Sequence, residues 1–531
     1  TEATVTTKYE RKFNSENAAV VDQEHLGGVI GQCEGSIIDC TNRGTVDQAS
    51  DPRTVNAGGI CGFVRNAAES LSGNANEGEV RIGGAVTLAT VGGVYGSFGK
   101  AQTVADAATT NRGGVTVSGI ESIEGAYLRL GGIVGFAYPG TVLSNLTNAG
   151  DMTVDLQSKF SYYAVGGIAG SVECGASSCV NEGSLRLNNN QLLTKGMCKI
   201  FVGGIVGINY RPTDDGPHIY EDCANRAEIG FVTTDNAFKV LPSFTGGILG
   251  YTEHPVEVRN CEGAAYINVN NANAKENGIF TATGGIVGAV KGTAALIEKC
   301  HVTADMRHYQ YNNTWDDPLS AANGGGIVGC ALGADEVNRI AITGCSCSGM
   351  VESKRSGAAG IVGYARFSDI SDCGFTGGIE GSGPHFAGGI AGTLANSTIA
   401  GCTVKAKNIY GHNASSPSLI GVSGIAAYVV GVSSVSDCKA YATLIRNSTV
   451  LGTEDASVTP DNLFGMGMIV GIDAGTTTVT NCGVGGSFYL GASEKPQELI
   501  LTLDADSYAK GIIGSGKTAT VGGCYYWNGE E

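Results

Sequence analysis

The 531 residues carry a formal charge of −17, 83 glycines, 11 prolines and 42% apolar side chains. That apolar share supports a core and excludes disorder, while glycine without proline or a three-residue period excludes collagen. The acidic surplus disfavours nucleic-acid backbones, and no stretch reaches the roughly 18–20 unbroken apolar residues of a membrane span.

Residues 1–26, opening TEATVTTKYERKFNSEN, are polar and predict an N-terminal cap. They show no charged-then-apolar leader, which is the expectation for a mature form whose leader is absent. From Gly27 one motif keeps returning: GGVIG at 27–31, GGICG at 58–62, GGIVG at 203–207 and 284–288, GGIAG at 388–392. Fourteen copies start near 27, 58, 92, 131, 166, 203, 246, 284, 325, 359, 388, 423, 467 and 510, with gaps of 29 to 44 residues. A period of that size belongs to a solenoid or propeller, and fourteen units exceed the usual propeller of about four to eight blades. The third motif position holds only Val or Ile, from Val29 and Ile60 to Ile469 and Ile512. Side chains branched at Cβ suit a pleated surface, so in-register stacking predicts one interior column.

A second module follows the motif, as in DCTNRGTV at 39–46, SCVNEGSL at 178–185 and DCANRAEI at 222–229. Its Asn42, Asn76, Asn111, Asn148, Asn181 and Asn225 read as a corner signal, because Asn tolerates the left-handed region. Cys40, Cys179, Cys223, Cys261, Cys300, Cys345, Cys373, Cys402, Cys438, Cys482 and Cys524 share one register of the repeat. Stacked rungs about 4.8 Å apart suit a buried column of free thiols better than disulfides. Only Cys345 and Cys347 lie close in sequence; alternation is expected to put one inside and one outside, so no metal site follows. Motif, cysteine segment and post-Asn segment give three strands per rung. The expected fold is all-β: a right-handed parallel β-helix of about fourteen rungs with loop insertions, spanning 27–524 before a C-terminal end at 525–531.

Long repeats extrude segments at 186–202, 208–221, 231–245, 307–323, 445–465 and 491–508. RHYQYNNTWDDPLSAAN at 307–323 supplies Tyr309, Tyr311, Trp315, Asp316 and Asp317, and NYRPTDDGPHIY at 209–220 supplies Tyr210, Asp214 and Asp215. Aromatic rings stack on sugar faces and carboxylates accept sugar hydroxyls, so these eight residues are the ligand-binding candidates. Catalytic residues, cofactors and metals are not expected. A carboxylate-based polysaccharide-cleaving β-helix is the alternative, although neighbouring aspartates on a strand face opposite ways. GIIGSGKT at 511–518 matches a phosphate loop but begins as the fourteenth repeat copy, and a strand pattern follows it where a phosphate loop needs a helix.

With fourteen such units in view, the chain resembles the GLUG-type repeat segments of bacterial surface proteins. Those occur in large adhesin-like proteins, in secreted or lipid-anchored proteins of gut Bacteroides-type bacteria, and beside the catalytic part of streptococcal IgA-cleaving metalloproteases. The resemblance covers about 27–528. It implies a cell-surface location and an adhesive or scaffolding role, and it transfers no catalytic residue. The expected function is a non-enzymatic adhesin or binding scaffold for a host or matrix glycan or glycoprotein, anchored by a segment outside this sequence. A passive stalk for a further domain is the third reading.

Overall fold

A computed structural model describes residues 23–48, 54–84, 86–118, 127–155, 162–189, 199–209, 216–233, 243–271, 281–310, 322–354, 357–380, 386–413, 420–448, 465–492, 495–516 and 519–530, with 5–7, 459 and 463. The chain divides into two compact units, Thr1–Val256 with Cys261–Lys275 and Glu257–Asn260 with Glu276–Glu531. In the first, seven successive strands from Gln23–Gly27 to Ser243–Gly246 pair in parallel, as do seven from Ile30–Cys33 to Leu249–Thr252. In the second, strands from Thr281–Gly284 to Met466–Gly467 and from Val287–Lys291 to Ile513–Gly516 stack the same way. Each unit is a parallel β-helix. No α-helix occurs among the described residues.

One rung shows the local logic: Tyr127–Gly131, Val134–Ala137, Val142–Ser144, Thr147–Asn148 and Met152–Asp155 are five strands, where three were expected. One extra strand comes from the glycine motif, which is a bend between two strands and not a strand itself, and the other is the short Thr147–Asn148 at the asparagine corner. A Cβ on Gly131 would sit 2.0 Å from the Val134 carbonyl oxygen, and one on Gly132 would sit 2.1 Å from that of Gly167. On Gly135 it would lie 2.6 Å from the Val91 amide nitrogen. The bend therefore folds the second strand onto the first at a distance only glycine allows. Its amides stay satisfied by the next rung, Gly132 N donating to Gly166 O at 3.1 Å and Ile133 N to Ile168 O at 2.9 Å. The Val/Ile column sits in these bends. Val29 is half exposed in the first rung, whereas Ile60 through Ile512 are buried.

The recurrent asparagines do more than mark a corner. The left-handed residue stands elsewhere, immediately before the cysteine column: Asp39, Ser178, Asp222, Asn260, Lys299, Asp372, Asp437 and Asn481 have φ between 51° and 55°. The asparagine side chains point inward and bond to each other. Nδ2 of Asn42, Asn76, Asn111, Asn148 and Asn181 each donates at 2.8 Å to Oδ1 of the asparagine one rung on, ending at Asn225. Each Nδ2 also reaches the carbonyl two residues ahead, as Asn148 does to Gly150 at 3.1 Å. All six are buried. The second glycine of the motif makes room for this ladder, since a Cβ on Gly132 would meet Asn148 Cγ at 2.3 Å. In the second unit the same place is apolar: Val302 faces Gly285, Phe375 faces Gly360 and Val404 faces Gly389.

The thiol column is present and unpaired into disulfides; every described cysteine is free. Cys345 and Cys347 are both buried, contrary to the inside-outside expectation: Cys345 faces inward from the turn just before the strand Ser346–Cys347, and positions two apart in extended backbone share a side. Burial pushes the thiols of Cys174 and Cys347 up to about 12, which keeps them protonated and inert. Of the described cysteines only Cys40 and Cys524 are part-exposed. Among the described cysteines, a thiol-reactive dye is expected to label these two in the native protein and the others only after denaturant; mapped labelling of Cys223 or Cys373 without denaturant would contradict this packing.

Candidate functional site

Connections between the five strands vary in length, most at one step of the rung. Between a fifth strand and the next first strand, the connection runs from Asn189 to Lys199, Thr233 to Ser243, Gln310 to Ala322 and Ser448 to Met466. The expected segments 186–202, 231–245, 307–323 and 445–465 all fall at this step. Segment 208–221 instead joins a second strand to a third, and 491–508 contains Lys495–Thr502, which runs antiparallel to Gly483–Ala492. Tyr311, Trp315, Asp316 and Asp317 lie outside the described residues, as do Tyr210, Asp214 and Asp215.

Tyr309 lies on the strand Met306–Gln310, directly ahead of 311–321. Its hydroxyl donates to the Glu352 carboxylate, which also pairs with Arg307 Nε at 2.8 Å. The Arg307 guanidinium lies 5.1 Å from the Tyr309 ring centre. Tyr309 is thus half-buried and tied into a three-residue cluster, an anchor for the segment that follows it. Beneath it His308 is buried, with Nδ1 at 2.7 Å from Thr283 Oγ1.

Segment 210–215 leaves from Asn209 and returns at Gly216, and both ends meet a histidine pair. His218 Nδ1 is 2.9 Å from Asn209 Oδ1, and His254 Nε2 is 3.1 Å from the Gly216 carbonyl oxygen. The two rings lie tilted at 44° to each other with centres 4.3 Å apart. A carbonyl only accepts, so His254 carries its proton on Nε2. Beside them opens a groove of about 530 Å³, lined by Val142, Glu173, Gly175, His218, Ile219 and Glu221 among others. Val142 and Ile219 expose 48% and 44% of their surface, giving the groove an apolar strip between carboxylates. Burial raises the Glu173 carboxyl above its usual range, against the lowering effect of Arg129. Such a site takes hydroxyl donors on its acids and a ring face on its apolar strip. Its residues come from three successive rungs and were not singled out in the sequence, where nothing in their spacing distinguishes them from other residues of a third strand or of the bend before one.

The phosphate-loop match is excluded by its setting: Ile513–Gly516 is a strand paired with Val470–Asp473, and the next described element, Thr520–Gly522, is again a strand. Among the described residues no group of three His, Cys, Asp or Glu is arranged to hold a metal, and no helix is long and apolar enough to cross a membrane. Comparison with protein-family models, with curated proteins and with solved structures finds no match.

Proposed function

We propose that this chain is a non-enzymatic bacterial cell-surface binding scaffold, whose two β-helical units carry variable segments toward glycan or glycoprotein ligands. The carrying observation is positional. Core columns repeat rung after rung, while length variation gathers at one step, so neighbouring segments emerge from stacked, in-register strand ends. Binding residues concentrate on such segments when a rigid frame holds their bases. The Tyr309–Glu352–Arg307 anchor fixes one such base, and the histidine pair at Asn209 and Gly216 fixes the base of 210–215, which leaves between a second and a third strand. The resemblance to GLUG-type repeats of surface proteins supports the same reading and the extracellular location.

The test is retention on a glycan array and on host-derived glycoproteins, comparing the intact chain with one whose 210–215 and 311–321 segments are replaced by Gly-Ser linkers of equal length. Retention is expected to fall at least about tenfold, or about 1.4 kcal/mol, with an unchanged melting temperature. No retention by the intact chain, or equal retention by both, overturns the reading.

A further inference from the structure

Some solvent-facing columns of this acidic protein carry alternating charge. In the first unit Arg43, Glu77 and Arg112 alternate in sign over three rungs, with Arg43 and Arg112 at 2.9 and 3.7 Å from Glu77. Third strands of the first unit from Ile37–Ile38 to Ala176–Ser177 carry no ionisable residue, and neither do Thr398–Ala400, Val432–Ser436, Thr476–Thr480 and Thr520–Gly522 of the second unit, which differ in being rich in hydroxyls. Their outward positions are in register, Thr398 beside Ser434, Ser434 beside Thr478, and Thr478 beside Thr520. A second column sets Ala400 beside Ser436 and Ser436 beside Thr480. Val432 stands among these hydroxyls with 73% of its surface exposed.

The face is rigid and uncharged. Ile399, Val435 and Val479 anchor its inner side in the core. A buried serine ladder backs one edge, Ser368 N donating to Ser397 Oγ at 3.0 Å and Ser397 N to Ser433 Oγ at 3.3 Å. The nearest acid on the neighbouring strand, Asp369, is neutralised by Arg339 through two 2.8 Å contacts and takes the Thr398 hydroxyl at 2.6 Å.

We propose that this face docks a neutral polysaccharide lying along the stacking direction, a reading that rests on the scaffold function and adds a site to it. Serine and threonine hydroxyls both donate and accept, as sugar hydroxyls do, and the methyl groups between them suit the apolar face of a pyranose ring. A polymer of repeating units meets the same groups every rung, about 4.8 Å apart, so weak contacts sum. The lack of charge gives a polyanion no attraction, in a chain that is already −17. Two strands of five residues and two of three present roughly 250 Å², well below the roughly 800 Å² per partner of a stable protein–protein interface, so a second copy is the poorer occupant.

The experiment is co-sedimentation with an insoluble neutral β-glucan, with soluble neutral mannan as competitor and alginate and heparin as charged controls. The intact chain is expected to sediment with the glucan and to be released by mannan. Its binding should persist when salt rises from about 0.1 to 1 M, which shortens the Debye length from roughly 10 to 3 Å. Thr478→Glu and Ser434→Glu, each checked for an unchanged melting temperature, should each weaken binding about tenfold or more, since docking then buries an unpaired carboxylate. Thr478→Val, which keeps the shape and removes the hydroxyl, should weaken binding severalfold, and it decides the matter should both glutamate variants misfold, because normal binding there with the fold intact overturns the proposal. Glutamate variants that bind normally overturn it, as does preference for alginate or heparin. A dimer that dissociates on Thr478→Glu makes the face a self-association surface and also overturns it. Retention on glycoproteins without binding to either neutral polymer removes this site and leaves the scaffold function standing.

Discussion

Asn148→Ala is expected to cost about 3 kcal/mol, a large effect for one polar truncation. Asn148 occupies the middle of the ladder. It takes the Asn111 Nδ2 hydrogen and gives its own to Asn181 Oδ1, both at 2.8 Å, and it also bonds both polar groups of Gly150. Removing the amide strands a donor on Asn111 and an acceptor on Asn181 in a site with no exposed surface, and each orphaned buried group costs roughly 1–3 kcal/mol. Asn42→Ala should cost less, because Asn42 has a single asparagine neighbour and belongs to the first rung. The second unit shows why single substitutions hurt more than wholesale ones: its column of Val302, Phe375 and Val404 is buried without any amide, leaving nothing to satisfy. Chemical denaturation of Asn148→Ala, Asn42→Ala and the unmodified chain tests the order. A loss below about 1 kcal/mol at Asn148 would mean the ladder is relaxed by water.

Stacking was legible because one physical demand repeats: Ile133, Ile168 and Ile205 must each fill the same bend, and no polar residue can. Strand number was not, since Gly131-Gly132-Ile133-Val134-Gly135 reads equally as a strand or as a bend until the Gly132 to Gly167 approach is known. An Asn two residues before Gly describes both a left-handed corner and an inward ladder. Only the φ values, positive at Asp222 and not at Asn225, separate them. The error at Cys345 and Cys347 was one of parity, not of pattern. The groove escaped notice because Val142, Glu173 and Ile219 are brought together by rung register, and each alone is an ordinary residue of a third strand or of the bend before one. The uncharged face was visible as TTTVT at 476–480, yet its meaning depended on SSVS at 433–436 lying beside it.

Lowering the pH from 6.5 should destabilise the second unit through His308. The ring is buried, and burial pushes its pKa down from 6.5 to about 3. Between those values the unfolded chain holds a proton on this histidine that the folded chain lacks, so stability must rise with pH across the window. The contribution is fully present above pH 6.5 and shrinks by about 1.4 kcal/mol per unit below it, toward a total near 5 kcal/mol at pH 3. Carboxylates such as Asp369, held low by Arg339, also lose stability in acid, but only as pH approaches their own ordinary range near 3.8. The interval from 6.5 to 5 therefore belongs to histidine, with His25 of the first unit, likewise lowered by burial, acting in the same direction. His308→Gln separates the two. The amide keeps a polar partner for Thr283 Oγ1 but does not titrate. At pH 8 the variant should be the less stable protein by about 1 kcal/mol, for an imperfect replacement hydrogen bond. At pH 5, where the unmodified chain has lost about 2 kcal/mol at this site, the order should reverse. Melting curves that run parallel for the two proteins from pH 8 to 5 would place the His308 proton outside the folding equilibrium, and with it the claim that this ring stays neutral beneath the Tyr309 anchor.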